Sequence, residues 1–260
     1  MKKFIAIDVG NTDIVVALIV NYKINKVFRF KTIKFKENKN LKNFFGSPFT
    51  FLYKKIKKTE RIYSIISSVV PEINIKLTKL CLLFFNQKPF FVSNNKTKLN
   101  IKINFKKKKE VGSDRIANAV AVKSFSKYPA IIIDFGTATT FDVIDKMGNY
   151  VGGLITPGIN LSLDALYNKT SKLPLIRLKK TKQVIGKTTV SAMQNGLYWG
   201  YIGLIEFLIK KIKLQYRFKF NVISTGGYAK IFSPKIKEID KVNENLTILG
   251  LIQIFKLNYE

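Results

Sequence analysis

The sequence predicts an α/β protein of two related lobes with mixed sheets and a cleft between them. The first observation is an internal echo. Ile5-Ala6-Ile7-Asp8-Val9-Gly10-Asn11-Thr12 returns as Ile131-Ile132-Ile133-Asp134-Phe135-Gly136-Thr137-Ala138-Thr139-Thr140. A second β-rich run follows each copy, Ile14 to Val20 and Phe141 to Ile144, so each reads as a strand, a tight turn and a returning strand. The second observation is spacing: Asp8 and Asp134 lie 126 positions apart in 260 residues. A solenoid repeats every few tens of residues, so half-chain spacing means two lobes, placed at 1–115 and 116–260. The third is that strands alternate with helical stretches after each hairpin, the pattern of an α/β lobe.

The elements follow in order. After the first hairpin, 26–35 is strand-like, 41–57 helical, 61–69 an apolar strand, 73–85 a helix and 90–92 a short strand. After the second hairpin, Tyr150 to Ile155 forms a third strand. Thr156-Pro157-Gly158 then opens a helix over 159–167. A longer helix spans 190–213, with Thr188 or Thr189 as its cap. Phe220 to Ser224 is a strand, and Thr225-Gly226-Gly227 turns into a short helix over 228–232.

Composition narrows the chemistry. The chain has no histidine and one cysteine, Cys81. It therefore holds no Ser-His-Asp or Cys-His arrangement, no His- or Cys-built zinc site and no disulfide framework. A general base has to be a carboxylate or, failing that, a lysine or tyrosine. Cys81, among Leu80, Leu82 and Leu83, reads as a small buried hydrophobe. The net charge is +30, which suits a polyanion-binding surface. Against that, only Arg29, Arg61, Arg115, Arg177 and Arg217 are arginines, and the lysines are scattered among Asn, Ile and Phe, as drift toward AT-rich codons produces. No specific nucleic-acid partner is expected. Asp8 interrupts the apolar start, and the greasy stretch 196–209 carries Glu206 and is too short to span a bilayer, so the expectation is a cytosolic protein without a membrane partner.

At a hairpin, Asp-x-Gly-x-Thr offers a backbone free to turn, exposed N–H groups and hydroxyls for phosphate oxygens, and a carboxylate able to hold a hydrated cation. Two such hairpins facing one cleft would grip a nucleoside triphosphate; ordinary turn geometry accounts for one copy but less well for two. Glu110-Val111-Gly112-Ser113-Asp114-Arg115 reads as a loop delivering Asp114 and the cationic Arg115 to a helix start. Asp114 there either caps the helix, favoured by its dipole, or takes a proton from a substrate hydroxyl. Tyr198, Trp199 and Tyr201, interleaved with Gly196, Gly200 and Gly203, serve either core packing or a dimer seam.

Asp8 to Thr12, Gly112 to Arg115, Asp134 to Thr140, the run 152–158 and the run 186–196 together resemble type III pantothenate kinase, in the right order over essentially the whole chain. The glycine turns alone belong to the wider superfamily of actin, heat-shock chaperones and sugar kinases, whose lobes are ribonuclease-H-like (actin-like ATPase) folds. The resemblance implies ATP-dependent phosphorylation of the primary hydroxyl of pantothenate, the first step of coenzyme A biosynthesis. It implies that Asp8, Val9, Gly10, Asn11, Thr12, Asp13, Ile14 and Val15 bind ATP phosphates, that Thr137 contacts ATP, and that Asp134 holds a monovalent cation, K⁺ or NH₄⁺. It further implies that Gly112, Ser113, Asp114 and Arg115 bind pantothenate with Asp114 as proton acceptor, that Thr189 is a further substrate contact, and that Mg²⁺ accompanies ATP in a homodimer. Phe105 stands where the family usually has a substrate-contacting tyrosine, a lysine run replaces a nearby proline, and Ser113 stands where alanine is common. Two rival readings share the fold: a non-catalytic nucleotide-binding regulator, and a nuclease, whose chemistry wants several carboxylates on two metals.

Overall fold

A computed structural model describes residues 2–37, 62–93 and 96–260. The predicted helix over 41–57, and Arg61 at the start of a predicted strand, lie outside the described residues. The chain divides into two compact units, 1–125 with 246–260 and 126–245.

In the first unit, β1 (Lys3–Val9), β2 (Asp13–Val20) and β3 (Lys23–Lys31) form an antiparallel meander. After α1 (Thr32–Glu37), β4 (Tyr63–Ser68) pairs parallel to β1, and after α2 (Asn74–Phe85), β5 (Phe90–Phe91) pairs parallel to β4. The sheet order is β3-β2-β1-β4-β5, and α3 (Ser113–Phe125) follows. In the second unit β6 (Ala130–Phe135), β7 (Ala138–Ile144) and β8 (Tyr150–Pro157) repeat the meander. There follow α4 (Ile159–Asn168), α5 (Thr189–Tyr216), β9 (Asn221–Thr225), α6 (Ala229–Phe232) and β10 (Lys241–Val242), the sheet running β10-β9-β6-β7-β8. Reading each sheet from its first strand gives the same topology twice. That is the two-lobed, mixed-sheet architecture the echo predicts.

Period-2 patterning explains the packing of β1. Ile5, Ile7 and Val9 join Ile14, Val16 and Leu18 in a core capped by Leu77, Leu80 and Cys81 of α2. Phe4 and Ala6, on the other face, are equally buried. Phe4 stacks on Phe255 with ring centroids 3.9 Å apart, so helices cover both faces and β1 reads as a continuous apolar run. Burial pushes the Cys81 thiol up to about 12, leaving it the inert hydrophobe its neighbours suggest. In the second unit Tyr198, Ile202, Ile205, Ile209 and Ile212 of α5 recur at helical spacing against Ile131, Ile133 and Phe135. No helix among the described residues is long and apolar enough to cross a membrane.

Three elements depart from the sequence reading. The strand expected over 26–35 stops at Lys31, because Thr32 bonds back to the first hairpin and turns the chain into α1. A final helix, α7 (Leu246–Tyr259), has no counterpart in that reading. It carries no clear apolar stripe, since Leu246, Ile248, Leu251, Ile252, Ile254 and Phe255 are buried nearly all round it. Finally, the division falls at 125/126 and 245/246, not at 115/116. The reason is that α3 and α7 pack together: Gly250 abuts Ala117, and Thr247 Oγ1 donates to Asn118 Oδ1 at 2.9 Å in a fully buried contact.

Candidate active site

The first bend is built at the carboxyl end of β1. Gly10 N–H donates to the Asp13 carbonyl at 2.9 Å, closing a short loop that leaves Asn11 and Thr12 exposed and Asp8 half-buried. Of the eight residues expected at ATP phosphates, Asp8 and Gly10 to Asp13 reach the surface. Val9, Ile14 and Val15 point into the core and can offer only backbone groups.

The second motif arrives at the adjacent strand. Asp8 and Val9 face Ser67 and Ser68 across the parallel β1–β4 ladder. Ser113 Oγ lies 3.0 Å from Ser67 Oγ and accepts the Ser68 N–H at 2.9 Å, fastening the start of α3 to the end of β4. The Val69 N–H donates to the Val9 carbonyl at 3.1 Å, tying the two strand ends together. Motifs a hundred residues apart in sequence thus meet at the carboxyl ends of neighbouring parallel strands, where α/β sheets place their ligands. Asp114 Oδ1 accepts the Arg115 N–H at 2.8 Å and folds over Gly112, where a Cβ would collide with it. Burial raises the Asp114 carboxyl above the usual range, while the Arg115 N–H and guanidinium pull it back. Phe105 is half-buried just ahead of a 3-10 turn, Lys108–Glu110.

In the second unit Asp134 is half-buried at the end of β6, followed by exposed Gly136 and Thr137. Two glycines make the bend possible. Gly226, at φ +89°, lies so near Asp134 and the Phe135 backbone that no Cβ fits, and Gly158 abuts the Gly136 and Thr137 backbone in the same way. Asp134, the bend carbonyls and the Thr137 hydroxyl are all hard oxygen donors, the chemistry a potassium-sized cation takes. The Tyr201 hydroxyl of α5 hydrogen-bonds the buried Thr139 Oγ1 beneath this hairpin, and burial with the nearby Asp134 charge pushes the phenol up to about 12. Thr189 is exposed at the first position of α5. Thr188 is the cap, accepting the Ser191 N–H at 3.1 Å in a reciprocal capping box. Sequence reasoning missed the Thr32 and Tyr201–Thr139 contacts: one threonine reads as strand, and the tyrosine as core.

The fold is that of actin-like ATPases and sugar kinases. The polyphosphate/ATP-glucomannokinase of Arthrobacter sp. strain KM superposes with a TM-score of 0.53 at 14% identity, over 99% of this chain and 100% of that one. A family model described as type III pantothenate kinase matches residues 4–211. A type III pantothenate kinase of Paramagnetospirillum magneticum is 41% identical over 254 residues, 98% of this chain and 97% of that protein. Another from Halalkalibacterium halodurans is 38% identical, over 98% and 99%. The chain belongs to the type III pantothenate kinase family.

Proposed function

We propose that this enzyme transfers the γ-phosphoryl group of ATP to the primary hydroxyl of pantothenate, giving 4'-phosphopantothenate at the entry to coenzyme A biosynthesis. Family membership over nearly the whole chain carries that reading. Asp114, in the first turn of α3 beside the end of β4, favours catalysis over a purely regulatory role. The bend 8–15 binds ATP phosphates through N–H groups and hydroxyls, and Thr137 is a further ATP contact. Gly112, Ser113 and Arg115 hold pantothenate, Phe105 gives it an apolar edge without a hydroxyl, and Thr189 adds a contact.

Asp114 accepts the proton of the primary hydroxyl as that oxygen attacks the γ-phosphorus and the bond to the β,γ-bridging oxygen breaks, releasing ADP. Its raised pKa brings the base closer to working pH, which strengthens proton transfer. Positioning and charge neutralisation supply most of the remaining acceleration. Asp134 and the Thr137 hydroxyl would hold a monovalent cation, which would supply positive charge for the polyphosphate, and Mg²⁺ would accompany ATP as part of the substrate. ADP release, measured with pantothenate and with or without potassium, tests this. Turnover should need pantothenate and rise with potassium, and Asp134→Asn should flatten the potassium response. Nucleotide binding without turnover would favour the regulator.

We place the enzyme in the cytosol as a homodimer. In a chain of +30, no lysine or arginine occurs from 147 to 168 or from 188 to 209. Those segments expose Leu154, Ile155, Leu161, Val190 and Phe207 within the second unit, and α4 packs on α5. A second copy can bury these apolar side chains there. Sedimentation should give twice the 29.7 kDa chain mass, and Phe207→Glu should shift the protein to monomer. A wild-type monomer at micromolar concentration would sink the assignment.

A further inference from the structure

The internal repeat aligns Thr32 with Gly158: each lies 24 positions after the strand-end aspartate, where the third strand of its lobe gives way to a helix. At both positions the backbone N–H donates to a carbonyl of the phosphate bend. Thr32 N–H meets the Thr12 carbonyl at 2.9 Å, and Gly158 N–H meets the Thr137 carbonyl at 3.1 Å. There the likeness ends. In the second unit the helix start lies directly against the bend, and only glycine fits. In the first unit a threonine fits, and its fully buried side chain reaches across the loop, Oγ1 donating to the Gly10 carbonyl at 2.7 Å.

One residue therefore holds both shoulders of the bend, Gly10 and Thr12, by separate hydrogen bonds. The Gly10 N–H is already committed to Asp13. With both shoulders fixed, the exposed Asn11 and the N–H groups around it keep one orientation before a ligand arrives. Donors fixed in advance need no reordering when a phosphate binds.

We infer that Thr32 is a positioning residue for ATP, acting through the bend at 10–12 and not by contact with either substrate. The inference rests on the kinase reading above. Thr32→Val keeps the shape and the backbone bond but loses the hydroxyl, stranding the part-buried Gly10 carbonyl. It should raise the KM for ATP about tenfold, the scale of one lost buried hydrogen bond, with a smaller change in kcat and an unchanged KM for pantothenate. Thr32→Ser, which restores the hydroxyl, should return the KM for ATP to within about twofold of wild type.

The test is steady-state kinetics in each substrate, with melting temperatures taken on the same samples. If the valine variant does not fold, Thr32→Ala serves in its place. An ATP KM within twofold of wild type, an equal rise for both substrates, or a serine variant no better than valine would overturn the inference. Should wild-type protein show no transfer to pantothenate, the kinase reading fails instead. ATP dissociation constants of the same variants by calorimetry then decide the role of Thr32 by the same criteria.

Discussion

Asp114→Asn is expected to lower turnover by about 10² to 10⁴-fold, the usual contribution of a positioned general base, while ATP binds nearly as it does to the wild type. The amide preserves the shape and still accepts the Arg115 N–H, so the loss isolates proton transfer. The same substitution should stabilise the fold at neutral and alkaline pH. Burial raises the Asp114 carboxyl in the folded protein. Its contribution to stability is therefore present below the ordinary aspartate value of about 3.9 and is lost as pH rises through the folded-state pKa. An uncharged amide does not suffer that loss. Melts of both proteins at pH 8 and near pH 4 should show the variant ahead at the higher pH, with the gap closing at the lower. Wild-type turnover in the variant would remove Asp114 from the chemistry, whatever the melts show.

Gly250→Ala should destabilise the first unit by about 3 kcal/mol, at the upper end of typical overpacking costs. A Cβ at 250 would run into the Ala117 carbonyl and lie 2.9 Å from its Cα, and backbone offers no flexible side chain to yield. The helices must separate, which also strains the buried Thr247–Asn118 hydrogen bond. Because α3 carries Asp114 in its first turn, transfer should fall along with stability. Urea titration gives the first quantity and ADP release the second. A variant as stable as wild type would mean that α3 and α7 do not pack this closely in solution.

The kinase family was legible in the sequence because its chemistry is local. Asp8-x-Gly, Gly112 to Arg115 and Asp134-x-Gly are each a few residues long, and a bend or helix start is made by the residues within it. The hairpins, α2, α4, α5 and β9 were legible for the same reason, since β-rich runs and helical apolar spacing appear in any short window. Thr32 was not. Its β-branched side chain suits a strand, and only the Gly10 and Thr12 carbonyls, twenty residues back, make it the start of a helix. Nor was α7, whose apolar residues surround the helix and so show no period.

By itself the sequence determined the duplicated hairpins, the acid available as a base in a chain without histidine, and the residues that turn each bend. Tertiary structure alone decided that Asp8 and Ser113 arrive at neighbouring strand ends, that α7 completes the first unit, and that each bend is held from behind, by a threonine hydroxyl in one unit and a glycine in the other. Turn and helix propensities act over a few residues. Strand pairing and close backbone approach join residues far apart in the chain, and they leave no periodic mark on the segments they join.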